Sequence, residues 1–208
     1  MCGRFVLLAD FSEIAGDFDI QEVSGDVRTG RDISPGQLVT AVVRHGKNRL
    51  VNFRWGLIPP RAKDPSIGRR MFNARAETVS EKPSFRGAFQ KRRCVIVADG
   101  FYEWQKLNRA KKPFYFSLQS GRPFGFAGLY ESWLSPERER IQTCTIITTV
   151  SNELIAPIHD RMPVILGRDG ASIWLDPENQ NGEQLLSLLK PFPAEEMTVE
   201  EGVMKLAR

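Results

Sequence analysis

Five short segments rich in valine, isoleucine, phenylalanine and threonine constrain the fold of this chain most strongly. Each is bounded by glycine, proline, asparagine or charged residues, a pattern typical of β-strands separated by turns. The five segments are residues 38–44, 94–98, 113–118, 124–129 and 143–150. Polar stretches at residues 107–112 and 119–122 are predicted to be hairpin loops.

Helix candidates are fewer than strands. They are residues 11–18, a short piece within 84–89, and residues 182–190, where four leucines form an apolar face. Because strands predominate and do not alternate regularly with helices, the pattern favours an α+β fold with a largely antiparallel sheet. The 208 residues are enough for one domain, over residues 1–208, with a core of its own.

Composition narrows the function classes. A net charge of +4 is compatible with a nucleic-acid partner but does not require one. Three cysteines without a C-x-x-C pair, together with only two histidines, argue against a disulfide scaffold and a structural zinc site. We therefore expect no metal and no cofactor. No apolar run reaches the roughly 18 residues of a spanning helix, and the start does not resemble a signal peptide, so we expect a reducing cytoplasmic setting.

Cys2 is the first candidate functional residue. Removal of Met1 would place an α-amine and a thiol on adjacent carbons of one residue, and both groups react near neutral pH. Such a pair can trap an aldehyde as an imine and then close a thiazolidine ring; alternatively, the amine can act as the base for the thiol. Arg4 is expected to favour the thiolate. The alternative is that Cys2 is incidental at a frayed terminus.

Asn73 and Arg75 lie two residues apart, so on an extended segment their side chains share a face. An amide that orients a nucleophile beside a guanidinium that holds an anion would make a coherent site. A turn in which Asn73 bonds its own backbone is the alternative. Trp55, which precedes Gly56 and a proline-rich turn, is interpreted either as packing or as an exposed platform for a nucleobase.

Two further residues are candidates for proton transfer. Glu103 lies among aromatic residues at the end of an apolar strand, where burial would raise its pKa, although a solvated glutamate is the alternative. His159 lies beside Asp160 and Arg161, which favours an acid–base role over a purely structural one. Together with Cys2 and Asn73, these residues supply a nucleophile, an orienting group and two proton carriers.

Several motifs occur in an order that resembles the SOS response-associated peptidase (SRAP) family. They are MCGRF at residues 1–5, WGLIP at 55–59, FNARAE at 72–77, DGFYEW at 99–104 and HDRMP at 159–163. The resemblance covers residues 1 to about 176. It implies a compact single α+β domain with a curved, barrel-like antiparallel sheet and a few flanking helices. The sequence departs from the family pattern at Asp32, where asparagine is more usual, and at the C-terminal end.

The resemblance also implies a function: a sensor of abasic sites in single-stranded DNA that removes its own Met1 and forms a thiazolidine crosslink through Cys2. By position, Asn73 resembles the orienting residue, Glu103 the acid–base carboxylate and His159 the residue that assists opening of the sugar. The resemblance also implies DNA contacts at four further matched positions, Arg4, Trp55, Arg75 and Arg161. The expected partner is abasic single-stranded DNA at replication forks. We expect the protein to be a monomer and to bind no membrane.

Two rival functions remain open from the sequence. One is an amidohydrolase or peptidase that uses Cys2 on other substrates, although no glutamine-binding motif or second domain is evident. The other is a non-catalytic reader of DNA in which Cys2 is incidental. The balance among stable crosslinking, abasic-site lyase action and reversal is likewise open.

Overall fold

The computed structural model describes residues 2–107 and 110–202. Met1, the tip of the hairpin predicted at residues 107–112, and the C-terminal residues 203–208 lie outside the described residues. None of the described helices is both long enough and apolar enough to span a membrane.

The centre of the fold is a closed barrel of five strands. Its members are β4 (Leu38–His45), β5 (Lys47–Trp55), β7 (Arg93–Ala98), β10 (Phe124–Leu134) and β11 (Arg140–Val150). Four neighbouring pairs are antiparallel, and β11 closes the ring by pairing in parallel with β5. A ring of five strands cannot be antiparallel throughout, because five reversals of direction do not return to the starting direction. The expected barrel-like α+β fold is confirmed, with one parallel joint.

Short strands extend this barrel sheet at its edges. They are β2 (Glu22–Val23) beside β5, β6 (Asn73–Arg75) and β12 (Arg161–Pro163) beside β11, and β13 (Ile165–Leu166) beside β10. The parallel pairing of β6 with β11 brings the predicted Asn73 segment to the rim of the barrel.

A second sheet of five strands lies beside the barrel. Its order is β14 (Met197–Glu201), β9 (Ala110–Leu118), β8 (Gly100–Leu107), β1 (Arg4–Leu7) and β3 (Gly30–Ile33). Phe5 of β1 joins the two sheets, because its ring contacts Trp55 and Phe126 of the barrel at centroid distances of 5.2 and 5.8 Å. The amino-terminal strand is therefore held in the core rather than frayed.

Four α-helices of the described residues flank the sheets: α1 (Phe11–Phe18), α2 (Arg86–Lys91), α3 (Arg168–Leu175) and α4 (Gly182–Ser187). Short 3₁₀ helices occur at Pro65–Arg70, Ala76–Thr78 and Ala194–Glu196. The bounds of α1 coincide with the predicted helix, because Asp10 and Glu13 form a reciprocal capping box at its start.

Two local predictions are corrected. The segment at residues 119–122 is not a hairpin loop, since β9 pairs with β8 and β14 whereas β10 belongs to the barrel. The chain turns there, with Gly121 at φ 65°, and crosses from one sheet to the other. The helix predicted over residues 182–190 ends at Ser187. Near the atypical C-terminal end, β14 is nevertheless a full edge strand paired with β9.

Candidate active site around Cys2

Cys2 lies just before β1 and is completely buried. The pairing of Arg4 with Tyr102 anchors this segment beside β8. Burial raises the pKa of the Cys2 thiol, and the charge of the Glu103 carboxylate raises it further. The thiolate is therefore disfavoured on balance, although the main-chain N–H of Arg4 lowers the pKa of the thiol. The Arg4 guanidinium is instead paired with the carboxylate of Asp32 on β3.

Asn73 holds the Cys2 backbone directly. Its Nδ2 donates a hydrogen bond of 2.7 Å to the carbonyl oxygen of Cys2. Asn73 belongs to β6, where it pairs with Ile146 of β11, and this pairing fixes its position. Its Oδ1 is buried and accepts no hydrogen bond from the described residues. The self-contained turn considered for Asn73 is excluded, and the amide retains one acceptor for a group that enters the site.

Glu103 lies within β8 opposite Phe114, and only 2% of it is exposed. Burial raises the pKa of its carboxyl group, while an electrostatic interaction with His159 opposes this shift. The alternative of a solvated glutamate at a strand end is thereby excluded. A buried carboxyl group with a raised pKa can exchange protons closer to neutral pH than an ordinary glutamate.

His159 follows a tight turn in which its main-chain N–H donates to the carbonyl of Ile155. Its ring nitrogen Nδ1 accepts a hydrogen bond of 2.9 Å from the main-chain N–H of Arg161. The Oδ1 atom of Asp160 also lies 3.0 Å from Nδ1, although the Asp160 side chain is 87% exposed. His159 is thus oriented through Nδ1 by its own chain.

The structure brings the four predicted catalytic residues together from four separate segments. The Asn73–Cys2 hydrogen bond is the first link, and the charge interactions of Glu103 with Cys2 and with His159 are the others. Each residue is placed by a strand or by a turn next to a strand, so the cluster is held by the two sheets rather than by long loops. The catalytic roles themselves remain predictions.

The predicted DNA-binding arginines have different environments. Arg75 is exposed, and its side chain makes no hydrogen bond or ion pair with any described residue. Arg161 is mostly buried and bonds both carboxylate oxygens of Glu77 as well as the carbonyl of Thr148. Arg75 therefore has the guanidinium that is available to an incoming phosphate, whereas Arg4 and Arg161 already have carboxylate partners.

Trp55 is not an exposed platform for a base. It is 1% exposed, its Nε1 donates a 2.8 Å hydrogen bond to the carbonyl of Phe72, and its ring packs against Phe5. The following residue, Gly56, has a φ of 134°, and a side chain there would come within 2.7 Å of the carbonyl oxygen of Gly68. The Trp55 motif is thus an element of packing that fixes the loop over residues 56–71.

Two cavities border this loop. One, of about 550 Å³, is lined in part by Pro35, Arg54 and Arg69. The other, of about 920 Å³, is lined in part by Arg61 and Arg86. The loop region therefore presents several cations to solvent, an arrangement that attracts a polyanion irrespective of its sequence.

Two charged partners of the predicted site residues were missed from the sequence. Glu77 belongs to the quoted FNARAE motif but received no role, because its partner Arg161 is 84 residues away. Asp32 was noted only as a departure from the family pattern, whereas the structure shows it bound to Arg4. A pairing of opposite charges across strands leaves no periodic signal in a single sequence. Among the described residues, no cluster of histidine, cysteine, aspartate or glutamate could hold a metal ion.

Comparisons with known proteins agree with the motifs. A family model described as SOS response associated peptidase (SRAP) matches residues 1–205. The chain is 48% identical over 201 residues to the abasic site processing protein YoqW of Bacillus subtilis strain 168, covering 95% of this chain and 90% of that protein. It is 34% identical over 166 residues to the abasic site processing protein HMCES of Gallus gallus, covering 68% of this chain and 49% of the relative.

Solved structures share the fold along most of its length. An X-ray crystal structure of a protein from Bacteroides thetaiotaomicron is similar with a TM-score of 0.87 at 29% identity, covering 96% of this chain and 91% of that one. Another, from Bordetella bronchiseptica, has a TM-score of 0.84 at 25% identity and covers 97% of this chain and 100% of that one.

Proposed function

The chain belongs to the SOS response associated peptidase (SRAP) family, and we propose that it captures abasic sites in single-stranded DNA as a covalent adduct of Cys2. The observation that carries this proposal is the convergence of Asn73, Glu103 and His159 on a buried cysteine next to the amino terminus. The names of the relatives, abasic site processing proteins, support the same substrate.

The first proposed step is removal of Met1. Hydrolysis of the Met1–Cys2 peptide bond consumes one water, releases methionine and leaves an α-amine on Cys2. The hydrogen bond from Asn73 to the Cys2 carbonyl supports this step, because it fixes the backbone on the far side of the nitrogen that is freed. The charge of the Glu103 carboxylate acts on Cys2, and this carboxyl group can carry the proton that the departing nitrogen requires. In this step the protein acts as an autoproteolytic hydrolase.

The second step opens the closed sugar of the abasic site. A proton is delivered to the ring oxygen, and the proton of the anomeric hydroxyl is removed, so that the ring bond breaks and the aldehyde is exposed. One donor and one acceptor are needed at the same time. His159 supplies the donor, and Glu103 in its ionised form supplies the acceptor.

The third step joins the protein to the aldehyde. The neutral amine of Cys2 attacks the aldehyde carbon, water leaves, and an imine forms. The sulfur then adds to the imine carbon while the thiol proton moves to nitrogen, which closes a thiazolidine ring without loss of any further atom. The thiol proton thus supplies the hydrogen that the nitrogen gains, and no further proton is needed.

A raised thiol pKa also weighs against the rival hydrolase that acts on other substrates. Such an enzyme must remove the thiol proton, either through a lowered pKa or with the freed α-amine as the base, and a raised pKa makes this removal more difficult. Burial and the neighbouring Glu103 carboxylate shift Cys2 the opposite way. An imine left without ring closure would instead undergo β-elimination, so lyase action is the competing fate of the same intermediate.

We assign the affinity for single-stranded DNA to exposed arginine side chains. Arg75 lies two residues after Asn73 on β6, so it can hold a phosphate close to the lesion. Arg54, Arg61, Arg69 and Arg86 border the two cavities next to the loop over residues 56–71 and can extend this contact along the backbone. We place the protein at replication forks in the cytoplasm, where single-stranded template is exposed.

The test is incubation with a single-stranded oligonucleotide that carries one abasic site, followed by denaturing electrophoresis and intact mass measurement. We expect an adduct whose mass equals the protein without Met1 plus the oligonucleotide minus one water. Cys2→Ala should form none, whereas Cys94→Ala, which removes another buried thiol, should retain it. Capping the aldehyde with methoxyamine should abolish the adduct. The proposal fails if wild type forms no heat-stable adduct or if Cys2→Ala forms as much.

A further inference from the structure

Arg161 is fixed through its side chain by four hydrogen bonds, of which the longest, 3.4 Å, goes to Oγ1 of Thr148. Its Nη1 lies 2.5 Å from Oε1 of Glu77, and its Nη2 lies 3.0 Å from Oε2 of the same carboxylate and 2.6 Å from the carbonyl oxygen of Thr148. Only 13% of the Arg161 side chain is exposed. A bidentate carboxylate contact of this kind fixes both the position and the plane of a guanidinium.

The main chain of the same residue orients His159. The N–H of Arg161 donates to Nδ1 of His159 at 2.9 Å. An acceptor nitrogen carries no proton, so the neutral ring holds its proton on Nε2. Arg161 therefore links two groups: its side chain bonds the Glu77 carboxylate, and its main chain determines the tautomer of His159.

Asp160 offers a competing contact to the same nitrogen. Its Oδ1 is 3.0 Å from Nδ1, but a carboxylate can bond Nδ1 only when that nitrogen carries a proton. The Arg161 N–H and the Asp160 carboxylate are thus mutually exclusive partners. In the neutral ring the main-chain donor prevails, because the exposed Asp160 can turn to water whereas Arg161 is held in place by the bonds of its side chain to Glu77 and Thr148.

We propose that Glu77 is a positioning residue for His159: by holding Arg161 it keeps the Arg161 N–H on Nδ1 and selects the tautomer that donates through Nε2. This inference rests on the proposed function, since it assigns His159 the donor role in opening the abasic sugar. A neutral imidazole in this tautomer can donate from Nε2 but cannot accept a proton there, and the proton that it gives to the ring oxygen is replaced by the one removed from the anomeric hydroxyl, so that no imidazolate remains. The acceptor role therefore falls to Glu103.

A purely electrostatic role for Glu77 predicts a different outcome. Its carboxylate is close enough to Arg75 for the charge of Arg75 to lower the Glu77 pKa, although the larger cause is the hydrogen bonding from Arg161. If Glu77 served only to reduce positive charge near the DNA, its neutralisation would tighten DNA binding and leave the chemical step unchanged. The position of the ring and the affinity for DNA must therefore be measured separately.

The experiment compares Glu77→Gln with Glu81→Gln, an exposed carboxylate four residues away whose side chain bonds no described residue. The first readout is the ¹H–¹⁵N correlation spectrum of the imidazole nitrogens in the free protein. The chain has only two histidines, so His45 serves as the internal reference. We expect His159 to show the Nε2–H tautomer in wild type and in Glu81→Gln, and a mixture of forms in Glu77→Gln, with His45 unchanged.

The second readout is single-turnover adduct formation over a range of DNA concentrations. We expect Glu77→Gln to lower the maximal rate about tenfold or more, since well-placed acid–base catalysis contributes roughly 10²–10⁴-fold, without raising the DNA concentration at half-maximal rate. Glu77→Asp, which keeps the charge but shortens the reach, should recover part of the loss and replaces Glu77→Gln should that variant not fold.

The inference is overturned if Glu77→Gln keeps the wild-type tautomer, or if its loss is confined to weaker DNA binding. Should wild type form no adduct at all, the proposed function fails, and the tautomer measurement still decides whether Glu77 positions His159.

Discussion

The side-chain amide of Asn73 donates a 2.7 Å hydrogen bond to the main-chain carbonyl oxygen of Cys2. Asn73 belongs to β6 at the rim of the barrel, whereas Cys2 precedes β1 of the neighbouring sheet. The bond therefore joins the two sheets next to Cys2, whose nitrogen and sulfur are proposed to react. Loss of this donor is expected to affect the chemistry more than the fold.

We predict that Asn73→Asp slows adduct formation by about ten- to a hundredfold, because misplacement of a reacting group by about 1 Å can cost about 10²-fold. The carboxylate would set an acceptor against the Cys2 carbonyl and remove its donor. The free energy of unfolding should fall by about 1–3 kcal/mol, the cost of an unpaired buried group. Single-turnover rates and urea unfolding measure the two effects. A wild-type rate in a folded Asn73→Asp protein would reassign Asn73 to structure.

For Glu103, the second prediction concerns the pH dependence of the rate. Burial raises the pKa of Glu103, and the proposed acceptor must be ionised, so the rate should rise with pH through a value above that of an ordinary glutamate. A second rise should follow the amine of Cys2, near pH 7.7–8.0 for an unperturbed amine. Glu103→Gln should slow the reaction and remove the first rise only. A profile that keeps both rises would exclude Glu103 as the acceptor.

The same raised pKa has a consequence for stability. Between the unfolded and folded pKa values of Glu103 the folded state binds the proton more tightly, so stability falls as pH increases through that window. At neutral pH the ionised, buried carboxylate is destabilising. Glu103→Gln should therefore unfold at a higher temperature than wild type at pH 7, and the difference should shrink below about pH 4.3, the ordinary glutamate pKa.

Sequence patterns predicted the strands whose apolar residues are consecutive, because both faces of barrel strands such as β7 are buried. They missed β5 and β8. In β5 polar residues such as Asn52 lie between apolar ones, and in β8 Glu103 follows two aromatic residues. Helix α3 was also missed, since Gly170 and Ser172 weaken its helical pattern.

Residue type alone singled out Cys2, Asn73, Glu103 and His159, and the structure places them together, although their roles stay predictions. Of the two interpretations of Trp55, burial supports packing. Neither the burial of Trp55 nor that of the Cys2 thiol could be predicted from the sequence, because both depend on packing between elements far apart in the chain.

The third prediction separates packing from DNA contact at Trp55. Trp55→Phe removes one of two hydrogen bonds to the Phe72 carbonyl, which keeps the bond from the main-chain N–H of Ile146 at 3.0 Å, and it creates a small cavity. We expect the free energy of unfolding to fall by about 1–3 kcal/mol, from the lost hydrogen bond and the cavity together. DNA affinity of the folded variant should be unchanged, whereas loss of a stacked base would cost about 1–3 kcal/mol of binding. Urea unfolding and fluorescence anisotropy distinguish these outcomes.

Arg93 supports the fourth prediction. Its guanidinium is buried and donates to the carbonyls of Phe89, Gln90, Trp174, Asp176 and Asn179. Arg93→Met removes all five of these hydrogen bonds, although the Asp176 carbonyl keeps a bond from the main-chain N–H of Asn179. It should lower the free energy of unfolding by about 3–5 kcal/mol, as for other broken buried charge networks.

The matched control for Arg93→Met is Arg122→Met, which removes an exposed arginine paired with Asp17. It should cost at most about 1 kcal/mol, as is typical of surface ion pairs. Equal losses in the two variants, measured by urea unfolding, would show that the buried carbonyl contacts contribute nothing beyond a surface pair.

The last prediction concerns the ion pair between Arg4 and Asp32 on the neighbouring strands β1 and β3. Asp32→Asn removes the negative partner and frees the Arg4 guanidinium for a phosphate, so binding of single-stranded DNA should tighten. The slope of log affinity against log salt should steepen by about 0.7, the release expected for one further phosphate contact on a single strand. Arg75→Ala should change both quantities in the opposite direction, because Arg75 has no described partner to lose. The double variant Asp32→Asn with Arg4→Ala should lose the gain. If Asp32→Asn alone leaves affinity and slope unchanged, Arg4 does not contact the backbone, and the pair with Asp32 serves only to hold β1 against β3.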